Sequence, residues 1–134
     1  MITYYKNPNI DNFYIASLSS SDWQEVAPLE YYSLVVVDLF NIAGTRVIIE
    51  DTPLDQVVAK YARIVDKPMK MKKMQESSCH DNCLELSSKG YEWYMGWGYT
   101  WADKTWRPHS WAVKNDTIYE TTQKRNVYFG VRIK

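Results

Sequence analysis

With 134 residues, the chain is long enough to close one hydrophobic core and too short for two, so a single domain over residues 1–134 is expected. Sixteen basic and sixteen acidic side chains cancel to a formal charge of zero, which argues against strong nucleic-acid binding, and no long apolar run is present to span a membrane. Aromatics make up 15% of the residues, six Trp and eleven Tyr among them, enough to fill a core and to wall a cleft.

Residues 1–50 read as N-terminal strands. Asn7-Pro8-Asn9 is a turn signal, and Tyr4-Tyr5 and residues 13–15 are candidate edge pieces beside it. Residues 22–29 suit a short helical turn around Trp23, ended by Pro28. Leu34-Val35-Val36-Val37 is a continuous, mostly β-branched run that predicts a strand covered on both faces. Asn41-Ile42-Ala43-Gly44 would turn the chain into a second strand over residues 45–49, completing a hairpin.

Residues 51–90 read as the helical part. Thr52 is a cap, Pro53 takes the first helical position and Asp55 lies in the first turn. Leu54, Val57, Val58, Tyr61, Ala62 and Val65 follow at helical spacing, so the helix is expected to lay that face on a sheet and to end before Pro68. Lys67-Pro68-Met69-Lys70-Met71-Lys72-Lys73 is a basic link; composition favours a solvated loop over a docking patch for an acidic partner. Ser78 to Gly90 then reads as a short helix, with Ser78 as cap, Asp81 reaching back to it, Leu84 and Leu86 as anchors and Gly90 as the stop. Cys79 falls at its first position, where free N–H groups and the helix dipole favour a thiolate.

Residues 91–134 read as an antiparallel sheet. Tyr91, Trp93, Met95, Trp97, Tyr99 and Trp101 alternate onto one face of a strand, with Gly96 and Gly98 on the other, where a backbone or a substrate can approach closely. A Trp-rich strand permits stacking against a ligand, with Trp97 and Trp111 as candidate walls, although buried sheet aromatics are the commoner arrangement. Asn115-Asp116 tolerates positive φ, and a two-residue loop there pairs Val113 with Ile118 and puts Glu120 diagonally beside His109. Residues 126–133 form a last strand.

An imidazole and a carboxylate on an apolar strand face are costly unless they satisfy each other. Glu120 would fix the tautomer of His109, and His109 would take the proton of Cys79: nucleophile, base and orienting acid, as acyl transfer requires. Cys83, one helical turn further on, is the rival nucleophile, but a small packing residue suits that position better. Cys79, His80, Cys83 and His109 offer four possible metal ligands at a spacing that departs from structural zinc patterns. Gln75 is a candidate donor to an oxyanion beside the Cys79 N–H.

Cys79-x-x-Asn82, Tyr94-x-Gly96, His109-Ser110-Trp111, Ile118-Tyr119-Glu120-Thr121 and Tyr128-Phe129-Gly130-Val131 together resemble the papain-like cysteine fold, in particular its transglutaminase-like branch and related small bacterial and phage proteins. In that branch a Cys opens a helix, the His is followed by a small residue and Trp, and an Asp-x-Thr element supplies the acid. The resemblance covers residues 79–131 and implies Cys79 as nucleophile, His109 as base and Glu120 as orienting acid. Glu stands where Asp is usual, and Thr121 follows it without a spacer.

The fold expected is therefore α+β, papain-like, with an antiparallel sheet of about four to six strands against the Cys79 helix and one further helix. The expected function is cysteine-dependent acyl transfer, as a hydrolase, deamidase or peptidase, on a protein, peptide or small amide or ester, with no cofactor and no metal. The alternative is a non-catalytic binding or inhibitor protein, phage-encoded in one version, on the same scaffold. Cys79 and Cys83 are poorly placed for a disulfide, and residues 1–7 lack a signal-peptide layout, so a reducing, cytoplasmic setting is expected.

Overall fold

Cap and turn chemistry is local, and where the chain relies on it the elements form as their residues dictate. The computed structural model describes residues 1–133. The first strands, β1 (Thr3–Lys6) and β2 (Phe13–Ser17), are antiparallel across the Asn7 turn, and β3 (Gln24–Val26) pairs with β1 from the other side. The segment expected to make a helical turn around Trp23 is thus an edge strand, with the Trp23 ring held edge-on against Phe13 at 5.7 Å.

The valine run is a helix, not a strand: α1 spans Ser33–Ile42. Tyr32, Val35, Val36 and Leu39 are buried while Leu34 and Val37 face out, so the apolar positions follow the three-and-four spacing of one helical face. That stripe outweighs the strand preference of β-branched side chains, and the expected hairpin becomes a helix running into β4 (Arg46–Glu50).

Helix α2 (Pro53–Tyr61) starts as its cap residues predict: the Thr52 side chain accepts from the Asp55 N–H at 3.2 Å, with Pro53 in the first turn. It ends earlier than expected, because Ala62 turns extended and leads into β5 (Arg63–Ile64). Val58, Ala59 and Ala62 are buried, whereas Leu54, Val57 and Tyr61, expected against the sheet, are exposed. The basic link is no free loop either. Met69–Met71 forms β6, parallel to a later strand.

Helix α3 (Cys79–Ser87) precedes the four strands that carry the site: β7 (Glu92–Thr100), β8 (Thr105–Lys114), β9 (Thr117–Glu120) and β10 (Val127–Ile133). Asn115 and Asp116 both take positive φ, 50° and 61°, giving the two-residue hairpin with Val113 opposite Ile118. The result is a mixed α+β architecture of three helices on one ten-stranded sheet, in the order β3-β1-β2-β4-β8-β7-β10-β5, with β9 and β6 added beside β8. All its pairings are antiparallel except β4 with β8 and β6 with β9. Among the described residues no helix is long and apolar enough to cross a membrane.

The main core fills the space between α1, α2 and the sheet. Trp106 is fully buried there, its Nε1 donating to the Ala43 carbonyl at 2.9 Å and its ring beside those of Tyr99 and Phe129, and Leu39, Val47 and Trp97 belong to the same cluster. A second cluster of Trp111, Val113, Ile118 and Tyr128 lies apart from it. β7 and β10 approach unusually closely at Gly96, where a Cβ would stand 2.1 Å from the Phe129 carbonyl oxygen and 2.5 Å from the Gly130 Cα. Gly96→Ala is therefore expected to cost about 3 kcal/mol of unfolding free energy, since backbone cannot yield as a side chain can. Urea melts check this, and a loss below about 0.5 kcal/mol would show that the strands part freely.

Candidate active site

Strand β8 builds the site through a gap in its pairing. One edge is paired with β7 throughout, while the other carries β4 only at Thr105 and Trp106 and β9 only from Ala112 onward. Pro108, which lacks an N–H, lies in the interval, and so do His109 and Ser110. Helix α3 packs against this open stretch, and the Ser110 N–H, with no strand to bond, is directed at the Cys79 sulfur.

The start of α3 is held differently from the expected capping box. Ser78 makes no side-chain cap bond, and Asp81 is exposed. Asn82 does the tethering from inside. It is buried and donates from Nδ2 to the Gln75 carbonyl at 2.8 Å and to Thr121 Oγ1 at 3.2 Å, tying the helix start to the end of β9. Of the expected anchors, Leu86 is buried and Leu84 is exposed. Gly90 does turn with positive φ, 90°, beyond the helix end.

Cys79 is half-buried, and burial pushes its thiol pKa up against the opposing pull of the Ser110 N–H. The expected thiolate bias of a helix start is overridden in the free protein. Cys83 is fully buried, its pKa raised to about 12 by burial first and by Cys79 second, so it packs rather than reacts.

His109 and Glu120 are 1% and 0% exposed, and the imidazole Nε2 bonds Glu120 Oε1 at 2.7 Å. The same carboxylate oxygen accepts the Tyr128 hydroxyl at 2.8 Å, and Oε2 accepts the Thr122 N–H at 3.0 Å and its hydroxyl at 3.2 Å. Burial works to raise the Glu120 pKa, but His109, Thr122 and Tyr128 together hold it below the usual range. Burial lowers the pKa of His109 despite its acidic partner, which leaves the ring neutral near pH 7. The pair is thus an ionised carboxylate fixing a neutral imidazole by Nε2.

Register decides what else reaches this pair. His109 lies opposite Gly96, and directly opposed residues share a face, so the imidazole is on the glycine face of β7. Trp97 is on the other face, buried in the main core with its Nε1 donating to the Ile48 carbonyl at 2.9 Å, and forms no substrate wall. Trp111 shares the His109 face and stacks on its ring at 6.1 Å and 29°. It is fully buried, so it backs the imidazole rather than meeting a ligand, and its Nε1 finds no partner. Gln75 is exposed; the structure uses its carbonyl, as acceptor for Asn82.

One pair was not anticipated from sequence. His80, next to Cys79, is hydrogen-bonded through Nδ1 to the Ser110 hydroxyl, next to His109; the same hydroxyl accepts Trp93 Nε1–H at 3.1 Å. The residues that follow Cys79 and His109 in the chain are thereby clasped together. Adjacency within each motif was the available signal. Among the described residues no group of three or more His, Cys, Asp or Glu is placed to hold a metal ion.

A thiol held at the Ser110 N–H and, one residue away, a neutral imidazole bonded to a carboxylate are the group types that nucleophilic attack through sulfur uses. No family model, curated protein or solved structure matches the chain.

Proposed function

We propose that the protein is a cysteine-dependent acyl-transfer enzyme on a papain-like scaffold, of the transglutaminase-like kind, with Cys79 as nucleophile, His109 as base and Glu120 as orienting acid. The single observation that carries the reading is the buried His109–Glu120 bond at 2.7 Å on the residue adjoining the Ser110 N–H that meets the Cys79 sulfur. As sulfur attacks a carbonyl carbon, its proton passes to His109; the tetrahedral intermediate collapses, and the imidazolium returns the proton to the departing amine or alkoxide. Water or a second nucleophile then releases the acyl group from sulfur. The substrate is a protein, peptide or small amide or ester, met in a cytoplasmic setting, and this chemistry needs no cofactor.

A second reading, a binding or inhibitor protein that keeps the scaffold without the reaction, draws on the burial that raises the Cys79 pKa. Alkylation with iodoacetamide separates the two. Cys79 is expected to label at least about tenfold faster than Cys83 near neutral pH. Because the thiol pKa lies above its ordinary 9.0, thiolate is the minor form at neutrality, and the Cys79 rate is expected to keep climbing with pH through that value. Equal, sluggish labelling of both cysteines, followed by peptide mass mapping, would favour the binding protein.

A further inference from the structure

We propose that Arg125 is the specificity-determining residue of the Cys79 site and selects an acyl group bearing an anionic substituent, a carboxylate or a phosphate; this rests on the acyl-transfer reading above. Its side chain is laid in place by a glycine. A Cβ on Gly98 would stand 2.6 Å from Arg125 Cγ, 3.0 Å from Cδ and 3.2 Å from Nε, so only glycine leaves room for the arm across that face of β7. It is the face that carries Gly96 and, opposite it, His109.

The guanidinium has few partners for a group so placed. One terminal nitrogen donates to the Gln123 carbonyl at 2.7 Å, Nε is buried with no hydrogen bond, and no carboxylate lies within ion-pair distance among the described residues. A partly buried, uncompensated cation with a free donor is costly unless a ligand completes it, and its planar fork suits two oxygens of an anion.

Arg125 also borders two openings in the surface. It lines a hollow of about 150 Å³ with Ser77, two residues before Cys79 in the chain, and Thr122, which bonds Glu120, and it lines a larger cavity of about 600 Å³ with Trp101 and Lys124. Glu76, on the small hollow, has a cation of its own in Lys73 at 3.7 Å. The Arg125 charge is felt at both Cys79 and His109: it works to lower both pKa values, against the burial that keeps Cys79 raised and alongside the burial that lowers His109.

Iodoacetate and iodoacetamide test this without a known substrate. Each places the same CH2–I carbon before the sulfur: the C–S bond forms, the C–I bond breaks and iodide leaves with the electron pair. Only iodoacetate carries an anion. Changes in thiol pKa affect both reagents alike, so the rate ratio at Cys79 isolates recognition of the charge. Arg125→Gln is expected to lower the iodoacetate-to-iodoacetamide ratio about tenfold. Arg125→Met, which keeps the apolar stem over Gly98, should do the same and serves if the Gln variant is unstable. Arg125→Lys, which keeps the charge but loses the fork, should retain only part of the ratio, and Gly98→Ala should reduce it by displacing the arm. Protection of Cys79 by inorganic phosphate or by succinate supports the assignment and tells which anion fits.

A ratio within about twofold of wild type in folded Arg125→Gln or Arg125→Met protein overturns it. The underlying acyl-transfer reading fails differently: His109→Ala would then leave the iodoacetamide rate at Cys79 untouched, whatever the ratio does.

Discussion

Replacing Glu120 with alanine is expected to lower the unfolding free energy by about 3–5 kcal/mol and the thermal midpoint by roughly 10–20 °C. Glu120 is 0% exposed and accepts four hydrogen bonds, from His109, Tyr128 and, twice, Thr122. Alanine would leave all four donors buried without an acceptor, and the penalty for a stranded donor exceeds the net gain of forming one bond. Glu120→Gln keeps the volume but turns an amide NH2 toward donors, so an intermediate loss is expected. Acid adds a second signature. The folded-state pKa of Glu120 lies below its ordinary 4.5, so its contribution is present above that value and lost as pH falls through the folded pKa. His109 is held below its ordinary 6.5, so the unfolded chain binds the proton first and stability begins to fall once pH drops beneath 6.5. Glu120→Gln should remove the lower step. Differential scanning calorimetry across this range checks both points, and a Glu120→Ala protein melting within about 2 °C of wild type would mean the four bonds contribute little.

Replacing His109 with alanine is expected to cut acyl turnover by a factor on the order of 10²–10⁴ and to slow Cys79 alkylation at neutral pH to the pace of an unassisted buried thiol. The reasoning follows the protonation states. Burial holds Cys79 as a thiol and His109 as a neutral ring, so the site does not rest as a preformed ion pair and the proton must move as sulfur attacks. Without the imidazole only hydroxide is left to take it. His80→Ala is the informative control, because His80 is the second imidazole at the helix start and is exposed, bonded to Ser110 rather than to a carboxylate. A modest effect is expected from loosening that clasp. Should His80→Ala slow Cys79 more than His109→Ala does, the base has been assigned to the wrong ring.

Parts of this site were legible because the deciding interactions are close in sequence. The Asn115-Asp116 turn needs positive φ, and once its two-residue loop is accepted, the alternation of strand faces brings Glu120 to His109. The Thr52-Pro53 helix start is equally local. The valine run misled for a related reason. β-branched residues at 35–37 favour a strand locally, whereas the stripe of Tyr32, Val35, Val36 and Leu39 forms a helical face only when there is a core to receive it. Residue type alone points Trp97 to a substrate wall, whereas its alternation with Gly96 already implies the face opposite His109.

What the amino-acid order by itself determined is the hairpin, the Thr52-Pro53 helix start and the partnership of His109 with Glu120, since a two-residue turn, a formed cap and strand alternation are settled within a few neighbouring residues. Tertiary structure alone decided that α3 fills an open edge of β8, that burial raises the Cys79 pKa instead of lowering it, and that Arg125 lies across Gly98 without a counter-charge. Desolvation and close approach depend on what surrounds a group in space, and those surroundings are assembled from segments far apart along the chain.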